Sequence, residues 1–164
     1  PVISELYRRD GADLHFGGVI VSTESSSLEG KKANAEEIAR IAASHAFDGV
    51  IVTQEGGGHA DVDLMMALEE CHKLGIAGVI MTNEIAGVKG DLPPLVSYSK
   101  QADAIVTNGN NDEVVQLGQP ATVFGGDSIL NGKFKAHEAL STSLGILYTS
   151  TNQLGANCMK TIAY

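Results

Sequence analysis

A carboxylate, three glycines and an imidazole stand together at Glu55-Gly56-Gly57-Gly58-His59. Glycines let backbone N–H groups approach a ligand closely, and beside a helix N-terminus such groups form an anion-binding nest. His59 is suited to general acid or base work near neutral pH. The plainer reading makes it a polar helix-entry residue facing water. For the glycines the plainer reading is a tight turn that needs positive φ. The run matches neither GxGxxG nor GxxxxGK[ST], which argues against a dinucleotide loop or a P-loop. Asp61 follows as a candidate N-cap, with Asp63 in the first helical turn, where a carboxylate favours the helix dipole. Capping therefore competes with ligand contact at Asp61. Glu55, His59, Asp61 and Glu84 are suitable metal-ligand types, yet no spacing such as HExxH joins them, so no metal is expected.

Two further places could touch a substrate. Glu84 precedes a loop over 84–94 with two glycines and two prolines. That loop reads as a lid or interface segment, or Glu84 is a solvated carboxylate at a strand end. Asn108 begins Asn108-Gly109-Asn110-Asn111, which can bind a substrate carboxylate or form a turn. The candidate catalytic residues are thus Glu55, His59 and Glu84. The candidate substrate-binding residues are Gly56, Gly57, Gly58, Asp61 and Asn108.

Four runs that end alike position these residues: VIVSTE (19–24), VIVTQE (50–55), VIMTNE (79–84) and AIVTNG (104–109). Their spacing suits a strand plus a crossover helix. The pattern predicts strands over 14–22, 49–54, 76–83 and 102–108. It predicts helices over 2–10, 29–46 and 61–74, the last ended by Gly75 at C′. A short helix over 95–100 and short strands over 114–117, 122–124 and 143–150 complete the expectation; 152–164 carries no clear pattern. The fold expected is a single α/β domain over 1–164, a three-layer sandwich on a mostly parallel, doubly wound (flavodoxin- or Rossmann-like) sheet. Parallel strands would bring Glu24, Glu55, Glu84 and Asn108 to one carboxyl edge, the usual ligand side of such a sheet.

Composition narrows the classes. Twenty acidic against 11 basic residues give a net charge of −9, the wrong sign for a nucleic-acid surface. No apolar run approaches the ~20 residues of a membrane helix, and no secretory signal is visible. Cys71 and Cys158 show no CxxC spacing, which points to a reducing, cytoplasmic setting. Cys71 lies on the apolar stripe of a helix and reads as core; Cys158 lies in the unassigned tail and could be a reactive thiol, although only Lys160 near it is basic. No Ser/His/Asp order suggests a hydrolase.

The runs VIVTQEGGGHADVDLMMALEEC, GIAGVIMTNEIAG, DLPPLVSYSKQADAIVTNGNND and LGILYTSTNQLGAN resemble the amino-acid reductases of anaerobic (Stickland) fermentation. These comprise the component B proproteins of glycine, sarcosine and betaine reductase and the D-proline reductase proprotein. The likeness runs stronger toward D-proline reductase in GGGHADVDLM, TNEIAGVKGDLPPLVS and the tail. It implies autocatalytic cleavage of a proprotein before an internal cysteine, which becomes a pyruvoyl group on the carboxy-terminal fragment. This chain resembles that fragment, with the pyruvoyl expected before Pro1. The partners implied are the amino-terminal fragment of the same proprotein, a selenocysteine-containing subunit and a small amino-acid substrate. D-Proline would be opened reductively to 5-aminovalerate, the pyruvoyl engaging the amine while the selenolate attacks carbon. A glycine-type reductase subunit and a non-catalytic scaffold or anion-binding domain are the alternatives.

Overall fold

The computed structural model describes residues 2–54, 58–102, 104–129 and 132–145. Pro1, Glu55, Gly56, Gly57, Cys158, the rest of the strand expected beyond residue 145 and the 152–164 tail lie outside the described residues.

The chain opens with helix α1 (Val2–Arg9) and, after a long connection, helix α2 (Leu28–Ser44). The Ser27 hydroxyl caps α2 by accepting a hydrogen bond from the Gly30 N–H at 3.1 Å. Strand β1 (Gly49–Thr53), helix α3 (His59–Lys73), strand β2 (Ala77–Glu84) and strand β3 (Ile105–Asn110) follow. These strands form one parallel sheet in the order β1-β2-β3, with Ile51 opposite Val79 and Thr82 opposite Thr107. Four short strands form two antiparallel pairs: β4 (Val114–Leu117) with β7 (Leu140–Ser143), and β5 (Ser128–Ile129) with β6 (Phe134–Lys135). The α/β class with a parallel sheet and helices packed on it is therefore as the sequence indicates.

Alternation decides which strand residues meet the helices. Val52, Ile80 and Ile105 pack with Leu64, Met65, Leu68 and Leu95. Val50, Ile20 and Phe47 pack with Ala39, Ala42, Cys71 and Ile76. Each fully buried Leu or Ile in these clusters contributes roughly 1.5–3 kcal/mol. Alanines on α2 and a glycine on β2 bring backbones close. A Cβ added to Gly78 would lie 2.0 Å from Leu68 Cδ1.

Several expectations need correction. Residues 14–22 are not a strand. The segment is pinned instead: a Cβ on Gly17 would strike the Phe47 ring, Ile20 packs into the core, and the Asn34 amide donates to the Thr23 carbonyl at 2.6 Å. Gly18, at φ +131°, breaks the extended run that a ladder would require. Three of the four like-ended runs therefore form the sheet. Residues 95–100 are not helical: the Val96 N–H donates to Asp61, and the Ser99 hydroxyl accepts from the Gln101 N–H at 3.2 Å, local bonds that compete with a helix. Residues 122–124 form no strand and pair with none among the described residues; Phe124 is solvent-exposed. The N-cap of α3 is Gly58, not Asp61. Gly75, with φ +78°, follows the end of α3 as expected.

Candidate functional site

Parallel pairing puts Thr53-Gln54, Thr82-Asn83-Glu84 and the 107–110 run at one carboxyl edge. Gly58, at φ +75°, turns the chain from that edge into α3, and His59 is the first helical residue. The His59 imidazole is exposed, and its carbonyl accepts from Lys31 Nζ at 3.2 Å. Lys31 is 4% exposed and also pairs with Asp63, so an ammonium on α2 locks the first turn of α3.

Asp61, buried at 3% exposure, holds the site together. Its Oδ1 accepts from Gln54 Nε2 at 2.7 Å, and its Oδ2 accepts from the Val96 N–H at 2.8 Å. Gln54 Nε2 also donates to Thr82 Oγ1 at 2.9 Å. One buried chain of hydrogen bonds thus joins the ends of β1 and β2, the first turn of α3 and the loop before β3. Both Asp61 oxygens meet protein donors, which makes Asp61 an organiser of the edge.

Glu84 Oε1 accepts from Thr107 Oγ1 at 2.7 Å, linking the β2 and β3 ends. The loop that follows is fastened rather than loose. Asn110 Oδ1 accepts from the Ala86 N–H at 3.0 Å, and Asn110 Nδ2 donates to the Gly87 carbonyl at 2.7 Å. Asp112 Oδ2 accepts from the Gly87 N–H at 2.9 Å. The pairing shifts between Thr82 and Glu84, where β3 uses Asn108 and Gly109 opposite the single Asn83. Asn108 lies at this irregularity; Gly109 takes it up at φ +100°. Bulges of this kind often re-aim side chains beside active sites.

Asn83 was not singled out by sequence. It is 1% exposed, and neither its Oδ1 nor its Nδ2 has a hydrogen-bond partner among the described residues. A buried amide with both ends free is costly and rare. Lys31 and Gln54 were also missed. The available signal was a lysine on the Ala35-Ala39-Ala42 stripe of α2 and the repeated polar pair that ends each strand run. Among the described residues no group of three or more His, Cys, Asp or Glu side chains could hold a metal ion. No helix of the described residues is long and apolar enough to cross a membrane.

A cavity of about 1270 Å³ opens along the free edge of β1. Val2, Ile3 and Leu6 of α1 line it together with Val19, Ile51 and Val79, and Glu24, Thr53, Gln54 and Lys31 border it as well. Glu24 borders the same cavity as Thr53 and Gln54, but its segment is not a strand, so it does not end a strand of the sheet as expected. The wall of this cavity begins at the residues directly after Pro1 and includes the β1 carboxyl end.

A family model described as glycine/sarcosine/betaine reductase component B subunits matches residues 1–161. The chain belongs to this family. The glycine reductase complex component B subunits alpha and beta of Peptoclostridium acidaminophilum are 30% identical over the whole chain, which spans 40% of that relative. Those of Acetoanaerobium sticklandii are 31% identical, with the same coverage. The betaine reductase complex component B subunit alpha of P. acidaminophilum is 34% identical over 83% of the chain and 34% of its own length. The chain thus spans about two-fifths or less of these component B relatives. No solved structure matches it.

Proposed function

We propose that this component B chain is the pyruvoyl-bearing part of a D-proline reductase, opening D-proline reductively to 5-aminovalerate with a selenocysteine-containing partner. One observation carries the reading. The two described stretches that lean toward D-proline reductase, GGGHADVDLM and TNEIAGVKGDLPPLVS, meet at one place: Asp61 of the first accepts from the Val96 N–H of the second. The stretches on which the D-proline likeness rests thus meet at the carboxyl edge, where substrate is expected in a parallel sheet. Identities of 30–34% to glycine and betaine reductase subunits alike leave room for a different substrate.

In this reading Glu55, His59 and Glu84 flank the substrate. The Glu55 and Glu84 carboxylates orient a cationic secondary amine, and His59 moves a proton. Gly56 to Gly58 and Asn108 offer backbone and amide groups to the substrate carboxylate. Asp61 acts as a positioning residue, through Gln54 and Val96. In this reading a pyruvoyl joined ahead of Pro1 would act beside the cavity that Val2, Ile3, Thr53 and Gln54 line. When present, the group supplies an electrophilic carbonyl that ordinary side chains lack.

The test is turnover by the assembled reductase, offered D-proline, glycine, sarcosine and betaine separately with a dithiol donor. Formation of 5-aminovalerate from D-proline is expected, together with a pyruvoyl-blocked amino terminus by intact mass. Reduction of glycine, sarcosine or betaine without D-proline turnover overturns the substrate assignment. A free amino terminus in the active enzyme overturns the cofactor assignment.

A further inference from the structure

Among the described residues, helices α2 and α3 pack on one side of the parallel sheet, and no helix packs closely on the opposite side. Val52, Ile80 and Ile105 point toward α3, so alternation directs Ile51, Val79, Met81 and Val106 the other way. Register makes them neighbours, Ile51 opposite Val79 and Met81 opposite Val106. The 14–24 segment extends the surface, because Ile20 packs inward and leaves Val19 and Val21 outward. Val21 is 79% exposed, Val106 56% and Ile51 45%, and none of the six side chains is charged. Helix α1 has no buried residue, although Val2, Ile3 and Leu6 face the cavity that Ile51 and Val79 also line. Parallel sheets are normally covered on both faces.

We propose that this face, Val19, Val21, Ile51, Val79, Met81 and Val106, is the docking surface for the portion of component B that the chain does not match. The inference rests on family membership and not on the D-proline reading. Relatives named for subunits alpha and beta together match over the whole chain, yet the chain spans only 40% of their length. Three-fifths of component B therefore lies outside it and needs a seat. An uncharged, β-branched face suits a permanent interface, which resembles a domain core, better than an encounter with an exchanging partner. A second copy is disfavoured because it would set a chain of charge −9 against another.

The experiment co-produces the chain with the remaining component B portion and measures the retained complex by native mass spectrometry. V21K and V106K introduce charge at exposed positions and leave the helix side untouched. Each is expected to reduce the retained complex at least tenfold, whereas L74K, at the exposed end of α3, leaves it intact. Unchanged circular dichroism shows that the variants fold. Carbene footprinting of the wild-type complex provides a second readout: Val106 and Ile51 become protected relative to the isolated chain. Retention of the complex by both lysine variants overturns the proposal. So does a dimeric isolated chain that V21K makes monomeric, which assigns the face to self-association, and so does a protected face in the isolated monomer. Assembly is read without substrate, so a protein that docks here but reduces glycine keeps this inference and loses only the D-proline reading.

Discussion

Replacing Asp61 with alanine removes two hydrogen bonds to a carboxylate and takes one acceptor from Gln54 Nε2, deep in the edge network, which still donates to Thr82. A hydrogen bond to a charged group contributes about 1.5–3 kcal/mol, and a buried donor left unpaired costs about 1–3 kcal/mol. The second loss is smaller, because Val96 is largely exposed and its N–H can turn to water. Loss of a carboxylate from the first turn of α3 adds about 0.3–1 kcal/mol. The expected total for Asp61→Ala is roughly 2–5 kcal/mol, a fall in Tm of about 5–15 °C for a chain of this size. Asp61→Asn keeps an oxygen for Gln54 but sets an amide N–H against the Val96 N–H. It should therefore fall between wild type and Asp61→Ala. Urea denaturation followed by circular dichroism gives the order directly. An Asp61→Ala protein within about 0.5 kcal/mol of wild type, the range of ordinary surface changes, refutes the network. A fully stable but inactive Asp61→Ala would make Asp61 a substrate contact instead.

Four further outcomes follow from the geometry. Asn83→Leu fills the same space without the two unpartnered amide atoms, so it should hold or raise the urea midpoint while lowering turnover of the assembled enzyme; normal turnover would show that the amide has no functional role. Lys31→Met strands the Asp63 carboxylate and the His59 carbonyl and should cost about 2–3 kcal/mol, the low end for a broken pair because Asp63 is partly solvated; thermal melts check this. Gly78→Ala drives a methyl into Leu68 and should cost about 1–3 kcal/mol by overpacking, again read from the urea midpoint. Burial, with a smaller push from Glu70, raises the Cys71 thiol above its ordinary value. The thiol is neutral in both states at lower pH. As pH climbs past about 8.5, where a free thiol ionises, only the unfolded chain gains a thiolate, so stability falls. Cys71→Ala should flatten that alkaline slope in urea titrations.

The sheet was legible because three strand runs are β-branched, similarly spaced and followed by helices with an apolar stripe. The run at 14–22 carried the same signal and still failed. Its Gly17-Gly18 pair serves close contact with the Phe47 ring and a positive φ, tertiary demands that a local pattern does not reveal. Asp61 shows a second limit. An aspartate two residues into a helix looks like a cap, and only the fold shows Gln54 and Val96 arriving at its two oxygens. Gly58, His59 and Glu84 do gather with the strand ends, since parallel topology alone dictates that. The buried amide of Asn83 was illegible because T-N-E at a strand end looks the same whether the asparagine points to water or inward.

The irregularity at Gly109 bears on how such an edge can diversify. Glu84 stays opposite Asn110, and Asn110 in turn holds the 85–87 backbone, although β3 carries one residue more than β2 there. Removing the extra residue would straighten the ladder and still leave Asn110 facing Glu84. The position behaves as an expansion joint, absorbing a change of length without passing it on to the loop beyond. A scaffold of this kind can thus lose one residue of the rim at Asn108 and keep the flanking loop in place, a change of edge length that leaves the core untouched.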